Sequence, residues 1–250
     1  MGKPGMIAIL QWTTLAVGGG LALARIPSVL RGENRSLFSL YALMTLAVLL
    51  SIDGPYLAID QALGGLNIAN LILRFLIFGT VFFLGIRIAR GFGAGDALRR
   101  ITGPVGIAVA AAASLAVIVL FAMMDTAGSS AGLVAVFAKD PGHAALVEYY
   151  GAAGRLYPAY VMLALLPAML QTLPSRLPIL VRSSAALLAA ASVAITLSLL
   201  SPVIPQSLEF LRYLLNYSAI LCLLTGLALI WLSKSLAKRL KQTEPAELPA

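Results

Sequence analysis

The chain has 250 residues, of which 60% are hydrophobic and 11% charged, and its formal net charge is +8. Soluble domains carry about 25% charged residues, and 18 basic with 10 acidic side chains cannot coat a chain of this size in polarity. A soluble enzyme, a disordered tail and a disulfide-built secreted scaffold are excluded, which leaves a multi-pass membrane protein.

Taken in chain order, the runs 6–24, 36–53, 67–90, 104–124, 149–171, 183–200 and 213–233 are each apolar enough to span. A span needs about 20 residues to cross about 30 Å of hydrocarbon. Lipid gives backbone N–H and C=O groups no outside partner, so each run must be helical. The expected fold is therefore an all-α integral membrane protein, a bundle of seven transmembrane helices over 1–233. Residues 234–250 are expected to form a basic and then disordered tail. Gly18-Gly19-Gly20 in the first run, and the alanine-rich stretches 108–114 and 185–192, allow helices to approach closely and also admit a homodimer seam. Pro158 and Pro167 predict a bend in the fifth run.

Charge sets the orientation. Arg25, Arg31, Arg35, Arg87, Arg90, Arg99, Arg100, Arg176 and Arg182 fall on one side, together with Lys234, Lys238, Arg239 and Lys241 of the tail. The positive-inside bias makes that side cytoplasmic, so the N-terminus is expected outside and the C-terminus in the cytoplasm of a plasma-membrane protein. Residues 1–24 also carry marks of a signal peptide, with Lys3 and an Ala22-x-Ala24 site, but cleavage would leave Arg25, Arg31 and Arg35 outside. The basic flanks are expected to meet anionic lipid at the cytoplasmic face. Without interleaved aromatic platforms they do not point to nucleic acid.

Polar residues inside the apolar runs are the functional clues. Asn67, Asn70 and Arg74 fall at i, i+3 and i+7, which predicts one stripe on the third helix. Asp53 and Asp125 end the second and fourth runs, Glu148 and Arg155 open the fifth, and Asn216 opens the seventh. One reading is an interfacial belt with snorkelling arginines. The other is a water-accessible outer vestibule in which Arg74 and Arg155 pair with Asp53, Asp125 or Glu148. Forked guanidinium donors there suit a small polar or anionic ligand, or a membrane-protein partner. The expected role is ligand sensing or partner binding. Secondary transport of a small polar solute and assembly within a membrane complex are the alternatives.

Other chemistries find little support. One cysteine, Cys222, forms no intrachain disulfide, and one histidine, His143, builds no histidine metal cluster, so no metal or cofactor is expected. The stretch DTAGSSAG from Asp125 matches no nucleophile elbow, so no enzyme activity is expected either.

The stretches RIPSVLRGENRSLF and YLAIDQALGGLNIANLILRFL carry a family resemblance. Over residues 25–90 the chain resembles an uncharacterised group of actinobacterial multi-pass membrane proteins, some labelled transporters. The resemblance rests on an arginine- and proline-containing first loop and on Asp60, Leu63, Gly64, Asn67 and Ala69. Many members of that group have histidine where this chain has Arg74. What the resemblance implies is shared membrane architecture, with no particular substrate.

Overall fold

The computed structural model describes residues 3–32 and 35–203, then 211, 215, 218, 219, 221–230, 232, 233 and 236, with side chains from residue 11 onward. In chain order the helices are α1 (Lys3–Leu30), α2 (Arg35–Leu49), α3 (Asp53–Ala62), α4 (Ile68–Gly91) and α5 (Gly95–Thr102). They continue as α6 (Pro104–Met123), α7 (Val134–Phe137), α8 (Pro141–Thr172) and α9 (Ile179–Leu197). Among the described residues, five helices are long and apolar enough to cross a membrane, and the bent pair α2–α3 makes a sixth span when taken as one. A shorter apolar helix covers Leu221–Ile230 within the expected seventh run. The protein is thus an all-α, multi-pass protein of the plasma membrane.

The bundle is built around α8. Half of its span window is buried, against 11% for α1. Helices α4, α6 and α9 pack around α8. Phe78, Val117, Val161, Leu165 and Leu188 belong to the resulting core. The α1–α2 pair hangs at the edge, and α2 has no fully buried residue. Small residues set its approach, since a Cβ at Gly18 would stand 2.9 Å from Thr45 Oγ1 and one at Gly79 2.8 Å from Leu43.

Several boundaries differ from the sequence expectation. α1 continues through Arg25 to Leu30, six residues past the expected end at 24, and α9 opens at Ile179, four residues ahead of 183. The second span ends at Leu49, and the chain turns by 90° into α3, so Asp53 opens a crosswise helix instead of closing a span. The fifth span starts at Pro141, eight residues ahead of its expected start at 149. The cause is local. Asp140 Oδ1 accepts the His143 N–H at 2.9 Å, and Pro141 at the first helical position needs no N–H partner.

Candidate functional site

At the end of the bundle remote from Arg99 and Arg100, α3 and the 124–140 segment are tied down by a buried polar knot. Its geometry begins in a tight turn. Gly64 and Gly65 have φ of 103° and 70°, and Asn67 follows at φ 56°. Glycine enters this left-handed region freely, and asparagine tolerates it better than other side chains. The turn aims two backbone N–H groups back at the Asp60 carboxylate. Oδ2 accepts from Asn67 N at 2.9 Å and Oδ1 from Ala69 N at 3.0 Å. Ser129 Oγ donates to Oδ2 from 69 residues away in the chain.

Asn67 completes the knot. Its Nδ2 donates to the carbonyls of Thr126 and Gly128, each at 2.9 Å. Its Oδ1 accepts from Tyr56 OH at 2.7 Å and from Ser130 N at 3.0 Å. Both donors and both lone pairs of the amide are used. Asp60 and Asn67 are fully buried, so each bond replaces one to water that has been lost.

A second, exposed cluster pins the same segment from outside. Lys139 Nζ lies 2.6 Å from Asp125 Oδ2 and donates to the Asp125 carbonyl at 2.8 Å. Asp125 N donates to His143 Nε2 at 3.2 Å, while His143 Nδ1 faces Asp140 Oδ2 at 2.6 Å. These partners place the ring proton on Nδ1. The Lys139 ammonium, aided by the Ala127 N–H, lowers the Asp125 carboxyl below its ordinary range. The His143 backbone N–H, aided by the imidazole, does the same for Asp140.

Arg74 is different. It lies about 9 Å along α4 from Ile68, half-buried and facing α8. Its guanidinium carbon stands 4.9 Å from the centroid of the fully buried Tyr150 ring. Gly154 makes room, because a Cβ there would fall 3.0 Å from Arg74 Cδ and Nη1. Pro158 has no N–H, so the Gly154 carbonyl loses its usual helical donor beside this cation. Arg74 Nε is buried without a hydrogen-bond partner. Among the described residues, no carboxylate lies within ion-pair distance of the guanidinium.

The expected site residues therefore separate. Asn67 precedes the helix as its N-cap and does not form a stripe with Asn70 and Arg74. Asn70 is buried on α4 and accepts from Tyr150 OH at 3.1 Å, the ring that carries Arg74. Asp125 pairs with Lys139, and Asp53 is exposed at the start of α3. Neither they nor the half-buried Glu148 reach Arg74, so the expected pairing of Arg74 with these carboxylates does not form. Arg155 Nη1 donates to the Ser198 carbonyl at 2.5 Å and to Ser201 Oγ at 2.6 Å, tying α8 to the end of α9. Asn216 lies outside the described residues.

Tyr150, whose ring packs on Arg74, stands beside Tyr149 at the start of the fifth run, and nothing in the spacing marks it out. Comparison with protein-family models, curated proteins and solved structures finds no match for this chain.

Proposed function

We propose that the protein binds a small anionic solute at Arg74, entering from the extracytoplasmic side beneath the α3 cap, and acts as its sensor. The single observation behind this reading is an intramembrane guanidinium with a buried, unbonded Nε and, among the described residues, no carboxylate beside it. A ring at this distance returns about 0.5–2 kcal/mol, whereas taking a charge out of water costs several kcal/mol. An anion at Arg74 offsets the difference, with Tyr150 and Asn70 as neighbouring walls. The orientation rests on the positive-inside bias.

Transport of that solute is a second reading, favoured by Pro158 and Pro167. Both lie within α8 and give the helix two points at which to bend.

The test is calorimetric titration of the purified chain with acetate, succinate, sulfate and inorganic phosphate. At least one anion is expected to bind saturably, Arg74→Leu to weaken it about tenfold or more, and Arg74→Lys to fall between. Unchanged binding in Arg74→Leu, or no binding by any of the four, overturns the proposal. Uptake of the bound anion into proteoliposomes separates carrier from sensor.

A further inference from the structure

The opposite end of the bundle carries two adjoining cavities around Arg100. The first, of about 300 Å³, lies between the Gly93–Ala97 turn and the last turns of α8, with Arg100, Pro167 and Gln171 among its walls. The second, of about 600 Å³, shares Asp96 and Arg100 with it and is otherwise bounded by Arg99, Pro104, Val105 and Tyr160. The first is mainly polar and the second mainly apolar, with Arg100 common to both.

Local structure holds Arg100 in this place. α5 is amphipathic, burying Ala97 and Ile101 and exposing Arg99 and Arg100. Tyr160 OH donates to the Arg100 carbonyl at 2.7 Å and anchors the turn to α8. Arg99 is engaged by Asp96. Among the described residues, no carboxylate pairs with Arg100. The remaining cation therefore stands where a polar chamber meets an apolar cleft.

We infer that this pair of cavities holds one anionic phospholipid. Its phosphate sits at Arg100, its polar headgroup enters the chamber beside Gln171, and the start of an acyl chain lies along Pro104, Val105 and Tyr160. The argument is chemical complementarity. A soluble phosphate compound leaves the apolar cleft empty, and a zwitterionic lipid brings a second positive charge to an already basic end. An anionic amphiphile satisfies both halves. This site is independent of Arg74.

The test is native mass spectrometry of the full chain in detergent, titrated with phosphatidylglycerol or phosphatidylcholine. One phosphatidylglycerol is expected to be retained with a preference of about tenfold, and Arg100→Gln to cut its retention about fivefold or more. Val105→Asp, which puts a like charge on the cleft wall, is expected to weaken retention with Arg100 intact. Arg176→Gln, on a residue that lines neither cavity, is expected to change nothing. Equal losses in Arg100→Gln and Arg176→Gln would mean diffuse surface attraction and overturn the assignment. So would equal retention of phosphatidylcholine, or displacement of the lipid by millimolar inorganic phosphate, which identifies a free-phosphate site instead.

Discussion

Asn67 and Arg74 lie seven residues apart, both polar in an apolar stretch, and the fold treats them in opposite ways. Every hydrogen-bonding group of the Asn67 amide has a partner, and those partners join α3, α4 and the 126–130 segment. Arg74 has an aromatic ring, a glycine surface and an unbonded Nε. A satisfied buried polar group is scaffolding, because its bonds are all spent within the protein. An unsatisfied one has bonding capacity left for something that arrives from outside. Intramembrane polarity alone does not distinguish the two.

Substitutions can break this contrast. The largest expected effect is that of Asn67→Ala. It removes four hydrogen bonds at about 1 kcal/mol each and puts alanine in a left-handed conformation costing about 1 kcal/mol more. A loss of about 3–5 kcal/mol is expected in dodecyl sulfate titrations of the protein in mixed micelles. A loss under about 1 kcal/mol would remove the scaffolding half of the comparison.

Next comes Tyr56→Phe, which deletes one buried donor to Asn67 and should cost about 1–2 kcal/mol in the same titration. Arg74→Leu is expected to leave stability unchanged or to raise it by about 1 kcal/mol, since the Tyr150 ring offsets only part of the cost of its charge. A loss of several kcal/mol would show that Arg74 is scaffolding as well. Gly154→Ala is subtler. The new methyl must displace the Arg74 side chain by a few tenths of an ångström, so anion affinity is expected to fall with little change in stability.

The smallest effect concerns pH. Asp125 and Asp140 have carboxyl pKa values lowered in the folded protein, so their contribution is complete above their ordinary value of 3.8 and fades as pH drops below it. Hydrogen exchange, corrected for intrinsic rates, should show the amides of Asp125, Ala127 and His143, which this cluster engages, loosening below pH 3.8. Unchanged exchange at these three amides would show that the two carboxylates do not pin the segment.

The long spans were legible where charge, glycine or proline punctuates the sequence. Asn67 and Arg90 bracket the third, and Gly103-Pro104 opens the fourth. The second was read too far, because apolar residues continue through Leu50 and Ile52 past the end of the helix and hydropathy does not register a bend. The fifth was read too short, because Glu148 and Tyr149 looked like a membrane edge while the capping signal lay at Asp140-Pro141. Arg74 stood out in the sequence, but its lack of a carboxylate did not, since pairing depends on residues far away in the chain. Of the residues noted for a resemblance, Asp60 accepts from the backbone N–H groups of Asn67 and Ala69. What spacing did not reveal was Ser129 as the remote donor.

That remote donor has a consequence for biosynthesis. The Asp60 carboxylate leaves the ribosome 69 residues ahead of the hydroxyl it binds, and α4, α5 and α6 must all be made and placed before the two meet. Until then α3 is held only to the start of α4, through Asp60, Tyr56 and Asn67. The docking of α3 on the 126–130 segment is therefore a late event in insertion, and a nascent chain halted before Ser129 would carry every residue of α4 yet lack the donor that joins the two.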